Sequence, residues 1–219
     1  MSERVYCSEE SRAVGEPIYG TADHVHVWLL LEYRPIWRAR AIEDNDLPAA
    51  ASAWLERSVE ATAAVGLNAR TQFLRQDEHD GEAMNLFVAL ADDRQSHLYH
   101  FALENYDALT AIDLGDLLQT PQRYDDHQQS EPLVLVCTNG QRDLCCARFG
   151  RPVFDHLSER FGARVWQTTH LGGHRFAPNV ALMPEGLVYG RVDLDVVDAL
   201  MDAHHEGRMK PELLRGRSC

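Results

Sequence analysis

The chain reads as a mixed α/β protein made of two tandem βαβββα units, and three features predict it. The order strand, helix, strand, hairpin, helix can be traced twice along the sequence. A polar run at 120–131, rich in Gln, Asp and Pro, falls between the two tracings as a boundary. The balance of 45% apolar to 25% charged residues is that of a soluble globular protein, and 219 residues can bury one generous core or two small ones. The expected units are 1–125 and 126–219.

In the first unit, a Val-, Trp- and Leu-rich strand at 25–33 leads to a helix at 49–65 that Gly66 ends. A strand at 69–75 follows, then a hairpin of 84–91 with 96–103 around Asp92-Asp93-Arg94. A helical stretch at 106–118 closes the unit. In the second unit, a strand at 133–136 precedes a helix at 151–161, where Val153, Leu157 and Phe161 recur every four residues. A strand at 163–168 comes next, then strands at 179–183 and 187–191 joined by a turn at Pro184-Glu185-Gly186. The last helix, 193–205, takes Asp193 as its N-cap and Gly207 as its stop. This duplicated order suggests a thioredoxin-like architecture. Thioredoxin folds place a cis-proline beside the active site, but Pro178 is read as an ordinary trans proline opening its strand.

The formal net charge of -13 argues against binding nucleic acid or an anionic membrane through a basic surface, and suits a basic protein partner. The opening stretch 1–12 is polar, without the apolar core of a signal peptide. Apolar runs such as 27–31 are far too short to span a bilayer. Five cysteines, one of them the terminal Cys219, do not resemble a secreted disulfide framework. A cytoplasmic protein is expected.

The chemistry gathers in two segments of the second unit. Cys137 and Cys146 form a C-x8-C pair, and His170 and His174 an H-x3-H pair. Each pair follows a strand, where an α/β sheet presents its functional groups. Two thiolates and two imidazoles make a complete donor set for a borderline-soft metal. Cys146 lies close to a helix start, where the N-terminal dipole favours negative charge and lowers a thiol pKa. Arg142 either adds positive charge there or pairs with Asp143. Gly172 and Gly173 rule out a zinc-finger helix between the histidines, since each costs a helix about 1 kcal/mol. They let the backbone bend closely around a bulky group instead. A single zinc satisfies the same four donors, although C-x8-C is looser than structural zinc spacing. The wide loop better suits a cluster with ligands on two metal atoms. Two Cys with two His is also the Rieske donor set, but the Rieske spacings are absent.

The segments Cys137-Thr-Asn-Gly-Gln-Arg-Asp-Leu-Cys-Cys146 and His170-Leu-Gly-Gly-His174-Arg-Phe-Ala-Pro-Asn179 resemble the signatures of the sucrase/ferredoxin-like family. The likeness extends to Gly20-Thr-Ala22, Trp28-Leu-Leu-Leu-Glu32 and Trp37, and so covers most of the chain. The resemblance implies a thioredoxin-like protein holding a 2Fe–2S cluster through Cys137, Cys146, His170 and His174. Arg142, Asp143, Gly172, Gly173 and Asn179 would surround it. One departure is Asn139, where family members often carry a His. The family name does not imply sucrose chemistry. The family register and the wide loop both favour Cys146 over its neighbour Cys145, which is then a packed thiol.

The remaining candidates read as structural. Cys7 and Cys219 are taken as incidental. His24, His26, His79, His97, His100, His127 and His156 show no ligand spacing to a cysteine, and His204 and His205 fit a solvated helix end. Trp28, Trp37 and Trp54 suit core or inter-unit packing. The first unit lacks a Cys or His just after its first strand and is read as a partner without cofactor. An electron carrier follows, with possible proton coupling at the imidazoles and a reductase bearing a basic docking face as its partner. The alternatives are a zinc-stabilised interaction module or a thiol oxidoreductase. The latter lacks the C-x-x-C motif.

Overall fold

The computed structural model describes residues 5–77, 81 and 83–219; His79 lies outside them. The chain begins with a short helix, α1 (Cys7–Ala13), and enters strand β1 (Val27–Glu32). Helix α2 (Ala49–Ala64) and strands β2 (Ala69–Arg75), β3 (Met84–Leu90) and β4 (His97–Leu103) follow. A 3-10 turn, Tyr106–Ala111, and helix α3 (Leu114–Gln119) come next. The remaining elements are β5 (Leu133–Cys137), α4 (Leu144–Phe161), β6 (Val165–Thr168), β7 (Val180–Met183), β8 (Leu187–Tyr189), α5 (Val197–His205) and β9 (Leu214–Arg217).

Among the described residues, nine strands form one mixed sheet, ordered β4-β3-β1-β2-β6-β5-β7-β8-β9. β1 and β2 are parallel, as are β5 and β6, and the other neighbours are antiparallel. The two halves meet where β2 pairs with β6 through Leu74 with Thr168 and Arg75 with Gln167. Read outward from that joint, β2-β1-β3-β4 and β6-β5-β7-β8 repeat one order and one set of directions.

Strand alternation divides the apolar side chains between faces. Val27, Leu29 and Leu31 of β1 pack with Trp54 of α2 and Leu117 of α3. Val134 and Val136 of β5 pack with Phe154 and Leu157 of α4 and Leu200 of α5. The opposite face is shared: Trp28, Leu30, Leu74 and Phe87 join Leu133, Leu135, Cys137, Cys146, Trp166 and Met183 in one buried cluster. The sheet curls to make that possible. Phe87 of β3 meets Trp166 of β6 with ring centroids 5.6 Å apart, although two strands separate them in the sheet. The end of β9 also reaches back to β1: the Trp28 indole donates to Ser218 Oγ at 3.1 Å, and the Val25 amide to the Ser218 carbonyl at 2.5 Å.

Several elements depart from the sequence reading. α4 starts at Leu144 rather than 151, because Asp143 caps it and the helix continues through Gly150 and Pro152. The stretch 106–118 is a 3-10 turn capped by Asn105 and then α3 capped by Asp113, since each cap starts a new turn. The last helix begins at Val197, with the Asp193 carbonyl accepting from the Val196 and Val197 amides. β8 ends at Tyr189, shortly before Arg191 takes a positive φ of 57°. The Ala177–Pro178 bond is cis, correcting the trans expectation. The two isomers of an X–Pro bond differ so little in energy that local sequence does not decide between them. Helix α1 and strand β9 had no counterpart in the pattern. Among the described residues, no helix is long and apolar enough to cross a membrane.

Candidate metal centre

Cys137 is the last residue of β5, and strand parity points it into the shared core beside Leu133 and Leu135. A short loop then turns the chain into α4. Asp143 caps that helix, its carboxylate accepting from the Cys145 amide at 2.8 Å, so Cys146 falls in the first turn. Two glycines allow helix and strand end to touch. A Cβ on Gly150 would lie 2.2 Å from the Cys137 carbonyl oxygen, and one on Gly140 2.6 Å from the Ala147 Cβ. Beside β5, the parallel strand β6 ends at Thr168, two residues before His170. Gly172 and Gly173 then take left-handed φ values of 78° and 60°, carrying the chain round to His174.

The loop is held from behind by Arg215 of β9. Its buried guanidinium donates to the Gly172 carbonyl and to Asn179 Oδ1, both at 3.0 Å, and to the Thr21 carbonyl at 2.7 Å. The Asn179 amide in turn donates to the Gly173 carbonyl at 3.1 Å. Asn179 therefore ties the histidine loop to Arg215. Burial lowers the Arg215 pKa to about 10, which still leaves it charged at neutral pH.

Three of the four expected donors converge. One ligand atom each from Cys137, Cys146 and His170 lie within 4.8 Å of one another. The Cys146 thiol is 3.6 Å from His170 Nδ1. Cys137 is pulled well below the ordinary thiol range, first by the hydrogen bond from Cys146 and then by His170 and the Leu171 amide. Cys146, sharing that proton, is held protonated. A cavity of about 430 Å³ opens beside His170, lined by Arg40, Arg70, Arg142, Asn139 and Thr169 among others, while Cys137 and Cys146 are buried.

His174 sits one turn further out and half exposed, with its ring centroid 6.0 Å from that of His170. Its Nδ1 lies 2.7 Å from Asp143 Oδ2, which leaves Nε2 as the nitrogen free to bind a metal. Carboxylate to imidazole to metal is the usual support of a ligating histidine. Asp143 thus pairs with His174, while the Arg142 side chain lines the cavity.

The sequence reading missed one member of this region. Cys7, set aside as incidental, places its Sγ 3.3 Å from Cys145 Sγ and 3.2 Å from His174 Nδ1. Helix α1 packs on the His174–Phe176 turn and carries Cys7 there from the far end of the chain. Burial, and then the neighbouring Cys145 and Asp143, push the Cys7 thiol up to about 12. Cys145 is buried, as expected of a packed thiol, but it faces Cys7 rather than Cys137.

Residues 18–216 match the model of the sucrase/ferredoxin-like family. Three curated yeast proteins, each named Altered inheritance of mitochondria protein 32, are similar over shorter spans. The Meyerozyma guilliermondii protein is 33% identical over 94 residues, which is 38% of this chain and 33% of that protein. The Clavispora lusitaniae protein is 28% identical over 110 residues, 46% of this chain and 40% of that one. The Debaryomyces hansenii protein is 32% identical over 95 residues, 38% and 35% of the two chains. The matches therefore cover between a third and two fifths of the relatives' lengths. No solved structure matches the chain.

Proposed function

We propose that this chain, which belongs to the sucrase/ferredoxin-like family, is an electron carrier holding one 2Fe–2S cluster through Cys137, Cys146, His170 and His174. The observation that carries the reading is the convergence of Cys137, Cys146 and His170 at the carboxyl ends of two adjacent parallel strands, with His174 one glycine turn away. The donor chemistry fits the group: two thiols sharing a proton, and two imidazoles of which one is already oriented by a carboxylate. Such a cluster supplies one-electron transfer, with imidazole ligation raising its potential relative to all-cysteine ligation.

The chain's own residues set the conditions for that chemistry. The first turn of α4 favours anionic sulfur through the helix dipole. Arg215 fixes the histidine loop and adds a buried positive charge. Asp143 Oδ2, 2.7 Å from His174 Nδ1, would orient that imidazole for a metal on its other nitrogen.

The same strand order in β1–β4 and β5–β8 supports a duplicated thioredoxin-like architecture, with the second unit carrying the cofactor. The net charge of -13 supports a redox partner with a basic docking face. Five free thiols suit a reducing compartment such as the cytoplasm.

Iron and acid-labile sulfide in protein purified without oxygen test the reading. The expectation is about two irons and two sulfides per chain with a reddish absorption. Cys137→Ala and Cys146→Ala abolish both, and Cys145→Ala retains them. One zinc per chain without sulfide would instead establish a zinc-stabilised module.

A further inference from the structure

We propose a second metal site beside the first, formed by the thiolates of Cys7 and Cys145, the carboxylate of Asp143 and Nδ1 of His174, that takes a divalent cation of the zinc class. The four donors come from α1, from the cap and first turn of α4, and from the loop after β6. Cys7 and Cys145 are 138 positions apart in the chain, yet their sulfurs stand 3.3 Å apart as free thiols. Cys7 Sγ is 3.2 Å from His174 Nδ1, and His174 Nδ1 is 2.7 Å from Asp143 Oδ2. The ligand atoms of Cys7, Asp143 and Cys145 all lie within 4.8 Å of one another.

That spacing suits tetrahedral coordination. With bonds of about 2.3 Å to sulfur and about 2.0–2.1 Å to nitrogen and oxygen, neighbouring donors around zinc stand roughly 3.4–3.8 Å apart. The Cys7–Cys145, Cys7–His174 and His174–Asp143 separations are shorter than these and open by small rotations, while His174 stands outside the group of atoms within 4.8 Å of one another, so its ring swings inward to complete the tetrahedron. Two sulfurs, one nitrogen and one oxygen select zinc over magnesium or calcium, which prefer all-oxygen shells. Three acidic groups crowded at a part-buried place repel once ionised, and a divalent cation removes that repulsion. Binding releases the two thiol protons to solvent.

The frame is set without the metal. The Arg191 guanidinium donates to the Ser11 and Glu16 carbonyls at 3.1 and 2.8 Å, and Arg12 pairs with Asp193 at 2.7 Å, so α1 is anchored across the site. His174 is half exposed and Cys7 is not fully buried, which gives an ion a route in. The site stands apart from the proposed cluster in Cys7, Cys145 and Asp143 and shares only the His174 ring. That ring has one nitrogen for each centre, and filling both makes it a bridging imidazolate with loss of its remaining proton.

The test is cobalt and zinc titration of the 219-residue chain, reduced with a phosphine, with iron and labile sulfide measured on the same samples. Cobalt reports thiolate ligation through its charge-transfer band. The parent should bind one equivalent that Cys7→Ser and Cys145→Ser each weaken at least tenfold, while Cys7→Ser keeps its iron and sulfide. Cys7→His, which restores a donor, should recover the equivalent with an altered band. In Cys137→Ala, which empties the first centre, the Cys7-dependent equivalent should remain. Unchanged cobalt binding in Cys7→Ser would overturn the site. So would loss of iron and sulfide in that variant, since Cys7 would then belong to a single centre.

Discussion

Arg215 is the residue on which the histidine loop depends. Its guanidinium bridges Gly172, Asn179 and Thr21, and a Cβ on Gly173 would fall 2.5 Å from one of its nitrogens, so the loop lies flat against it. Arg215→Ala strands those acceptors in a buried place. The expected cost is about 3 kcal/mol or more, since hydrogen bonds from a charged donor are worth about 1.5–3 kcal/mol each. In a chain of this size that lowers Tm by about 6–12 °C. Arg215→Lys keeps the charge but cannot span the acceptors with one ammonium. Calorimetry should place it between parent and Ala, with metal retention reduced in both variants. A Lys variant equal to the parent would assign the role to charge alone. Nothing local in the sequence marks Arg215, because its partners lie on segments distant in the chain. Cys7 escaped notice for the same reason. The convergence of Cys137, Cys146 and His170 was legible because each sits close to a strand end and the spacing survives without knowledge of the fold. The Asp143–His174 contact was not, since Asp143 had a nearer apparent partner in Arg142.

The contact of α4 with β5 decides where the two cysteines stand. Gly150 lets the helix settle on the Cys137 carbonyl, and Gly140 clears Ala147 at the loop. Gly150→Ala forces the helix off the strand end, a form of overpacking expected to cost about 1–3 kcal/mol. Urea denaturation should show a lower midpoint with an unchanged slope, and iron content should fall because Cys137 and Cys146 no longer share one register. A variant with parental midpoint and iron content would mean that the helix does not set the thiol spacing. Strands β1 to β8 and helix α2 were legible from periodicity, with ends shifted by a few residues. The early start of α4 was hidden by Gly150 and Pro152, which read as breakers when their tertiary reasons are unknown. α1 and β9 carry too little alternation to be seen. Their residues are fixed by anchors such as Arg191 and by the pairing of β9 with β8.

For the molecule as a whole, two halves with one strand order share a single apolar face, and the proposed centre lies at its rim. The order of elements in each half could be read from the sequence. Their joining could not, because among the described residues two pairs, Leu74 with Thr168 and Arg75 with Gln167, link β2 to β6. The curl that brings Ser218 of the chain end against Trp28 depends on the accumulated twist of nine strands, which no local pattern records. The central claim is that two imidazoles and two thiolates hold one cluster at this rim. Pulsed electron paramagnetic resonance of the reduced protein, grown with 15N-histidine, tests it most directly. The account predicts two strongly coupled imidazole nitrogens in the parent and one in His174→Ala or His170→Cys. A reduced cluster without histidine nitrogen coupling would contradict it.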